Sequence, residues 1–382
     1  MTSTAPKPAS GIEEIEPYEY ASSIPLSLWS RKPLLKLDCN EATYPPSPLV
    51  KRKLIEFIEN APLNWYPDTG AQDLKLAVSR YVEHPPEFIS IFNGCDHALE
   101  TLCRTYLKKG DEVVIFAPTY DNFRVFAESA GGSVIPIYAR TPFETNVRGI
   151  EKVFRPQTKI VYLANPTNPT GVTYNPEEIL HVLKAAASAL VIVDEAYYEF
   201  WGETSLSLIR DHPNLVVTRS FSKAFALAGL RCGYLVSRPE NIRVIEKVRN
   251  GKNVNVLAQV AASAALEDID FIRARIQELH QAKRWFVKKM TQRGMPVIDT
   301  PANFVLMKVP DPDGVHKALE SHQVLVRNRN TLPQLSGYLR ITIGTSSEME
   351  RLLSTFQTIL SPRLPQETSR PLQDFPYSSI EP

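Results

Sequence analysis

The chain has 382 residues, of which 43 are basic and 42 acidic, so its formal net charge is +1. At roughly 100–200 residues per domain, this length allows two or three domains with a large core. A charge near zero gives the whole molecule no electrostatic reason to bind nucleic acid or an anionic membrane surface. No apolar run approaches the roughly 20 residues that span a bilayer, and residues 1–17 lack the apolar core of a secretory signal. The four cysteines have no metal-site or disulfide-framework spacing, which indicates reduced thiols and a cytoplasmic protein.

Prolines are concentrated at the two ends of the chain. Eight of the 31 lie in residues 1–48 and five in residues 361–382. Proline interrupts helices and sheet ladders, so such segments favour extended backbone. We therefore expect an N-terminal arm at residues 1–35 and a proline-rich, loosely ordered tail at residues 361–382.

Seven short apolar runs alternate with segments of helical length in the middle of the chain. The runs are FISIF (88–92), VVIFA (113–117), VIPIY (134–138), IVYLA (160–164), LVIVD (190–194), LVVTR (215–219) and GYLV (233–236). Each is apolar on both faces, which is typical of buried parallel strands. Strands that alternate with helices predict a mostly parallel, doubly wound α/β sheet in a large domain, residues 36–270. Residues 36–50 are equally compatible with the smaller domain.

The rest of the chain predicts a second, smaller unit. A long helical pattern extends from about residue 239 to residue 294. Strands are then expected at residues 297–309 and 338–343, and helices at residues 313–321 and 347–360. We assign residues 271–360 to a smaller α+β C-terminal domain.

Polar clusters follow five of the predicted strands, where ligands bind in doubly wound sheets. They are NGCDH (93–97), PTY (118–120), NPTNPTG (165–171), DEAY (194–197) and SFSK (220–223), the last followed by Arg231. A lysine beside serines and an arginine indicates an amine nucleophile next to a bound phosphate, and the start of the helix at residues 96–107 offers backbone amides to the same kind of group. An aspartate at a strand end suits a cationic ring nitrogen, and an aromatic side chain suits the ring face. Pyridoxal phosphate has all these parts.

Five segments together resemble a known family. SFSKAFALAGLRCGY, VDEAYYEF, NPTNPTG, APTY and LRITIGT resemble fold-type I aminotransferases and are most similar to the histidinol-phosphate aminotransferase family. The resemblance extends from about residue 18 to about residue 360. Five motifs in the same order are far more specific than any one of them, so the resemblance implies this fold and pyridoxal phosphate as the cofactor.

The resemblance also implies roles for the residues around the cofactor ring. Lys223 is implied to form the Schiff base and then to carry the proton between the substrate and cofactor carbons. This role requires a lowered pKa, which we expect from burial and from the charge of Arg231. Asp194 is implied to keep the ring nitrogen protonated, and Asn168 and Tyr197 to bond the phenolic oxygen.

Further residues are implied to bind the ring face and the phosphate. Tyr120 is expected to stack on the ring, and the phosphate ligands are expected to be Ser220, Ser222, Arg231, Asp96 and the amides around Cys95 and His97. Relatives usually have a second carboxylate where His97 stands, so this histidine is given no catalytic role. Tyr66, in NWYPD, matches a tyrosine that reaches the phosphate of the neighbouring subunit, which implies a homodimer with shared active sites.

Three residues match the part of the family site that holds the substrate. Arg340, in LRITIGT, matches an arginine that grips an anionic group of the substrate, and a guanidinium suits such two-point pairing. Arg327, in VLVRNRN, matches an arginine used for the substrate phosphate, and Tyr18 matches a tyrosine of the arm near the same place. The segment LDCNEATYPPSP departs from the Asn-Glu-Asn-Pro of relatives, and this puts the exact substrate in doubt.

We therefore expect a transaminase that moves an amino group between glutamate or 2-oxoglutarate and an anionic amino compound, with histidinol phosphate as the first candidate. Two alternatives keep the cofactor: a decarboxylase of a phosphorylated amino acid, and a transaminase of an aromatic amino acid or of another amino compound in biosynthesis. A cofactor-binding regulator without catalysis is disfavoured because the first 35 residues are too short and proline-rich for a DNA-binding module. A nucleotide-binding dehydrogenase is disfavoured because no strand is followed by GxGxxG and no P-loop is present.

Overall fold

The protein is described from a computed structural model, which covers residues 8–9, 11–19, 22 and 34–360. The prediction of a loosely ordered tail at residues 361–382 lies outside the described residues, as does most of the N-terminal arm. Within the arm, Ile12–Glu14 forms one turn of 3₁₀ helix. Among the described residues, no helix is both long enough and apolar enough to cross a membrane.

The smaller sheet receives its first strand from the N-terminal side of the chain. β1 (Leu35–Leu37) pairs in parallel with a strand near the C-terminus, Val324–Asn328. Two helices then precede the large sheet, α1 (Pro48–Asn60) and α2 (Gln72–Val82). Residues 36–37 thus belong to the smaller sheet, the second of the two positions that the sequence allowed.

A seven-stranded sheet forms the centre of the large domain, and all seven predicted runs are strands in it. The strands are β2 (Ile89–Phe92), β3 (Glu112–Ala117), β4 (Ser133–Tyr138), β5 (Thr158–Ala164), β6 (Leu190–Asp194), β7 (Leu215–Ser220) and β8 (Gly233–Ser237). Their spatial order is β2-β8-β7-β6-β5-β3-β4. The expectation of parallel pairing is wrong for β8, which is antiparallel to both β2 and β7. β4 lies at the edge and is partly exposed, so it is not covered on both faces as β6 and β7 are.

Helices connect these strands and cover the sheet. They are α3 (Gly94–Tyr106), α4 (Asp121–Ser129), α5 (Ile150–Val153), α6 (Pro176–Ala185) and α7 (Tyr198–Trp201). The start of α6 follows from its sequence, because Asn175 caps the helix, Glu178 bonds back to the cap, and a proline occupies the first turn. The fold is thus the doubly wound α/β type that the alternation of strands and helices predicts.

The long helical pattern of residues 239–294 is three helices rather than one. They are α8 (Pro239–Ile245), α9 (Val256–Glu267) and α10 (Ile269–Thr291). The residues between α8 and α9 contain Gly251 and Asn255, and the Asn255 side chain accepts a hydrogen bond from the amide of Ala258 to start α9. The Asn250-Gly251 pair within this break is a turn signal that the sequence analysis did not use.

The smaller sheet has five strands in the order β1-β11-β12-β10-β9. Its other elements are β9 (Val297–Ile298), β10 (Phe304–Lys308), α11 (Pro312–Ser321), β11 (Val324–Asn328), β12 (Tyr338–Thr342) and α12 (Ser346–Leu360). The predicted strand at residues 297–309 is divided into β9 and β10. The sequence analysis missed β1, which is only three residues long, and β11, in which the apolar run stops after three residues at Arg327.

Candidate active site

The lysine that the sequence singles out lies where the two sheets meet. Lys223 lies three residues after the end of β7, and its Nζ donates a hydrogen bond of 2.9 Å to the carbonyl oxygen of Cys39, just after β1. Burial, and after it the charge of Arg340, lowers the pKa of the Lys223 amine to about 8. The cation beside the amine is therefore Arg340, whereas the sequence analysis expected Arg231. A large fraction of this amine is neutral near pH 8, as a nucleophile requires.

The aspartate at the end of β6 is a buried carboxylate with fixed donors. The Thr218 hydroxyl donates to Oδ1 of Asp194 at 3.0 Å, and the Tyr162 hydroxyl donates to Oδ2 at 3.0 Å. The Sγ of Cys95 lies 3.8 Å from Oδ1. Burial raises the pKa of Asp194 to about 6, which leaves the group mostly ionised at neutral pH. The donors orient a negative charge at the carboxyl edge of the sheet, the position that a cationic ring nitrogen needs.

Tyr197 and Asn168 each form a hydrogen bond with a residue in or next to the smaller sheet. The Tyr197 hydroxyl accepts a 2.9 Å bond from Nδ2 of Asn40. Oδ1 of Asn168 accepts from Nη1 of Arg340. The bond before Pro169 is cis. These contacts place both predicted ligands of the phenolic oxygen close to the arginine of β12.

Ser220, Ser222 and Arg231 form a continuous chain of hydrogen bonds. Oγ of Ser220 accepts from the amide of Ser222 at 3.0 Å, and Oγ of Ser222 accepts from Nη1 of Arg231 at 3.3 Å. Nη2 of Arg231 forms a 3.0 Å ion pair with Asp96 in the first turn of α3. A Cβ at Gly94, where φ is +82°, would lie 2.6 Å from Nη2, so only glycine lets the guanidinium approach this turn.

The N-terminus of α3 supplies the second side of this cluster. Gly94, Cys95 and Asp96 open the helix, where the first backbone amides have no partners within the helix. The His97 ring is held elsewhere, because its Nδ1 lies 2.8 Å from Nδ2 of Asn253 and its ring packs edge-on against Phe92. These contacts hold the His97 side chain by packing and by Asn253. The expectation that only the backbone amide of His97 binds the phosphate stays a prediction.

Tyr120 connects the phosphate side with the substrate side. It precedes α4, and its hydroxyl donates a 2.8 Å bond to Oδ1 of Asp96. The ring of Tyr18 approaches edge-on, with 6.3 Å between ring centroids. Tyr18, the arm residue predicted from the sequence, is thus brought to the candidate site.

Two predicted arginines lie side by side in the smaller sheet. Arg327 of β11 is the register partner of Arg340 of β12. Nη2 of Arg340 donates to the carbonyl oxygen of Asp38, and Nη2 of Arg327 donates to that of Glu19. Burial lowers the pKa of Arg340. The structure thus brings both predicted substrate ligands to one place.

Tyr66 does not reach the candidate site of its own chain. Its side chain is 77% exposed, and the ammonium of Lys252 lies 3.7 Å from the centroid of its ring. The role expected for Tyr66 concerns a second subunit, and the single chain leaves it as a prediction.

Sequence reasoning missed four residues of the site. Tyr162 and Thr218 lie inside apolar runs, where a single polar atom shows no pattern, although the register Asp194 to Thr218 follows from adjacent parallel strands. Asn40 lies in the segment that departs from relatives. Arg329 lies two residues after Arg327, and this strand spacing was the available signal that both face the same side.

The residues present fit pyridoxal phosphate. A lysine with a lowered pKa and a buried anionic aspartate lie at neighbouring strand ends, with a serine-arginine cradle at the α3 N-terminus. The absence of a side chain at Gly94 keeps that cradle open to the guanidinium of Arg231. Lys223 would hold the aldehyde and Asp194 the ring nitrogen, and Ser222 and Arg231 would hold the phosphate.

Comparison with known proteins decides the family. The family model "Aminotransferase class I and II" matches residues 32–356. The chain belongs to the class I and II aminotransferases. The enzymes of this family use pyridoxal phosphate, and the match confirms the family resemblance found in the sequence of this aminotransferase.

Two curated relatives illustrate the range within the family. A dihydroxyacetone phosphate transaminase of Campylobacter jejuni is 38% identical over 354 residues, covering 91% of this aminotransferase and 95% of the relative. A histidinol-phosphate aminotransferase of Geotalea daltonii is 34% identical over 321 residues, covering 84% and 90%.

Solved structures agree with the fold. Histidinol-phosphate aminotransferase from Sinorhizobium meliloti, in complex with pyridoxal-5'-phosphate, has a TM-score of 0.78 and 25% identity over 86% of this chain and 91% of that chain. An aspartate aminotransferase from Thermus thermophilus has a TM-score of 0.74 at 22% identity, covering 86% and 92% of the two chains, and shows the fold alone.

Proposed function

We propose that this aminotransferase uses pyridoxal phosphate to move an amino group between glutamate or 2-oxoglutarate and a phosphate-bearing compound, with histidinol phosphate as the first candidate. The observation that carries the proposal is the meeting of Lys223, Asp194 and Arg340 at the edges of the two sheets. When bound, the cofactor supplies an aldehyde that captures amines and a cationic ring that withdraws electrons from the substrate carbon.

The side chains then perform the work of proton transfer and orientation. The Lys223 amine, neutral for much of the time near pH 8, accepts a proton from the substrate carbon and returns it. Asp194, fixed by Thr218 and Tyr162, holds the proton on the ring nitrogen. Tyr197 donates to the ring oxygen from a position set by Asn40.

The phosphate and the ring face have their own ligands. Ser220, Ser222 and Arg231 with the first amides of α3 bind the cofactor phosphate. Tyr120, held by Asp96, covers the ring. The same contacts fix the distance from Lys223 to the substrate carbon, which is how a positioned base gains its efficiency.

Arg327 and Arg340 favour a substrate with an anionic group, and both relatives are named for activity on a phosphate compound. Dihydroxyacetone phosphate is therefore a second candidate, as an acceptor, favoured by the 38% identity to a protein named for that activity. The decarboxylase and aromatic transaminase alternatives have no comparable support among these relatives.

We further propose a cytoplasmic homodimer. Large apolar side chains are exposed on α1 and the loop after it: Ile55, Ile58, Leu63, Trp65 and Tyr66. Such a patch of exposed apolar side chains suits burial against a second copy of the chain.

The proposed cytoplasmic location has separate support. All four cysteines are free thiols, as expected in a reducing compartment.

A spectral screen of half-reactions tests the proposed function. Purified holoenzyme is mixed with single amino donors: glutamate, histidinol phosphate, histidinol, phenylalanine and a phosphorylated amino acid. Conversion of the visible cofactor band by glutamate and by histidinol phosphate, with much slower conversion by histidinol, is the expected result. Restoration of the band by dihydroxyacetone phosphate supports the second candidate. Release of carbon dioxide without conversion of the band contradicts the proposal and favours a decarboxylase.

A further inference from the structure

Three arginines lie together, buried, in the smaller sheet. Arg327 and Arg340 are directly opposite on antiparallel strands, and Arg329 follows two residues after Arg327 on the same side. Their exposed fractions are 8%, 4% and 5%. The amide of Arg329 bonds to the carbonyl oxygen of Tyr338, which fixes the backbone at the end of β11. The third arginine is thus as firmly placed as the two that the family resemblance identified.

This arrangement costs stability in the absence of an anion. Like charges directly opposite in a sheet repel, and buried charges require partners. In the part of the chain that the structure describes, Nη1 of Arg329 forms a 3.4 Å ion pair with Asp121, and Nη2 of Arg327 lies 3.6 Å from Glu19, whose side chain is 80% exposed. Among the described residues, the carboxylates paired with these guanidinium groups are thus Asp121, 32% exposed, and Glu19, mostly in solvent.

Unused donor atoms point to the same imbalance. Nε of Arg329 and Nε of Arg340 are buried and have no hydrogen-bond partner among the described residues. Burial and the charge of Arg340 lower the pKa of Arg329 to about 10. A buried donor without an acceptor costs free energy, so these atoms mark a place where an acceptor is missing.

The three arginines face the candidate site rather than a separate cavity. The charges of all three act on the hydroxyl of Tyr18, whose ring meets that of Tyr120. Asp121, the partner of Arg329, follows Tyr120 directly at the start of α4. Arg329 therefore lies beside the residues that line the substrate side of the cofactor.

We propose that Arg329 is a third ligand of the substrate's anionic group and that it makes the site selective for a doubly charged phosphate monoester over a carboxylate. A phosphate monoester carries about −1.5 to −2 charges at pH 7 and three acceptor oxygens, whereas a carboxylate carries one charge and two oxygens. This inference rests on the proposed function, since it concerns the substrate of the same site.

Asp121 has a definite part in this arrangement. It pairs with Arg329 when no substrate is bound, and so it competes with an incoming anion for the same guanidinium. Removing its charge leaves Arg329 with stronger attraction for the substrate phosphate. A purely structural ion pair predicts the opposite, because its loss would only loosen the site.

The test measures inhibition of the glutamate half-reaction by glycerol 3-phosphate, a phosphate monoester without an amine or carbonyl group. Holoenzyme variants Arg329→Gln, Arg329→Lys and Asp121→Asn are compared with Lys308→Gln, which removes an exposed cation from the same sheet. Arg329→Gln is expected to raise the inhibition constant at least about tenfold and the KM for glutamate less than about threefold, since a charged hydrogen bond is worth about that much. Arg329→Lys recovers part of the loss, Asp121→Asn lowers the inhibition constant about threefold, and Lys308→Gln changes neither value.

An unchanged inhibition constant in Arg329→Gln overturns the proposal, as does an equal rise in the glutamate KM accompanied by a lower Tm. If glutamate fails to convert the band of the wild type, the proposed function itself is wrong. Calorimetric titration of the same proteins with glycerol 3-phosphate then still decides whether Arg329 binds the anion.

Discussion

The amine of Lys223 donates a hydrogen bond to the backbone carbonyl oxygen of Cys39, 2.9 Å away. Lys223 lies three residues after the end of β7 in the large sheet, whereas Cys39 lies two residues after the first strand of the smaller sheet. The contact therefore fixes the nucleophile at the junction of the two sheets. The position of the Lys223 amine in the large domain depends on the backbone of the smaller sheet.

Replacement of this lysine removes the base that moves the proton. We expect Lys223→Ala to lower kcat at least about 10³-fold, within the range of a positioned general base. The visible absorption of the holoenzyme is also expected to disappear. Activity is measured with glutamate and the best acceptor from the screen. A variant that keeps both the band and the activity contradicts the role of Lys223.

The lowered pKa of Lys223 predicts how cofactor uptake depends on pH. The neutral amine is the reactive form, so the rate at which apoenzyme captures pyridoxal phosphate rises with pH through about 8 and then levels off. Arg340→Gln removes a nearby positive charge, so the pKa rises and the midpoint moves to higher pH. Stopped-flow absorbance at several pH values measures both. Lys308→Gln, which removes an exposed cation, is the control and is expected to leave the midpoint unchanged. An unchanged midpoint in Arg340→Gln contradicts the assignment of Arg340 as the nearby charge.

Asp194→Asn keeps the size of the side chain but removes its charge and replaces one of its two acceptor oxygens by an amide donor. The neutral amide no longer holds a proton on the ring nitrogen, and kcat is expected to fall about 10²–10³-fold. Asp194→Glu, which keeps the charge, should retain more activity than Asp194→Asn. Equal losses in the two variants would show that shape, not charge, matters at this position.

Arg231 is predicted to act on cofactor affinity rather than on chemistry. Its guanidinium bonds Ser222 and Asp96 beside the first turn of α3. Arg231→Gln should raise the Kd for pyridoxal phosphate about 10- to 100-fold, the worth of a charged hydrogen bond or two. Arg238→Gln, which removes a cation from the start of α8, is the control. Fluorescence titration of apoenzyme gives both constants, and equal effects on the two would remove Arg231 from the phosphate site.

Complementation tests the shared site. Tyr66→Ala and Lys223→Ala are each expected to be weakly active or inactive. Co-expression of the two gives mixed dimers in which one site has both residues intact, so activity returns at about a quarter of the sites when subunits pair at random. If the activity of the co-expressed variants does not exceed the summed activities of the two single variants, Tyr66 does not serve the neighbouring subunit.

Much of the large sheet was predictable because its strands carry their own signal. β6 was located to the residue, since five consecutive apolar or strand-ending residues are followed at once by polar ones. The direction of β8 was not predictable, because an apolar strand reads the same in either direction and only the connection after β7 reverses it. Likewise β1, three residues long, shows its membership only through its pairing with β11.

Part of the candidate site was also predictable from the sequence, and part was not. Asp194 was singled out because it ends a strand within a motif, and Lys223 because it lies just after one within a motif; their roles stay predictions. The identity of the cation beside Lys223 was missed, since Arg340 lies far away in sequence and reaches the amine only through the fold. Arg329 escaped notice because the family pattern drew attention to Arg327 alone.

The pairing of Leu35–Leu37 with Val324–Asn328 has a consequence for synthesis of the chain. The first of these strands leaves the ribosome early and has no partner until nearly the whole protein has been made. Contacts between distant segments form slowly, because a long loop must close first. A chain interrupted before β11 contains every strand of the large sheet, but the backbone that holds the Lys223 amine has no sheet to join. The enzyme therefore acquires its catalytic geometry among the last events of its own production.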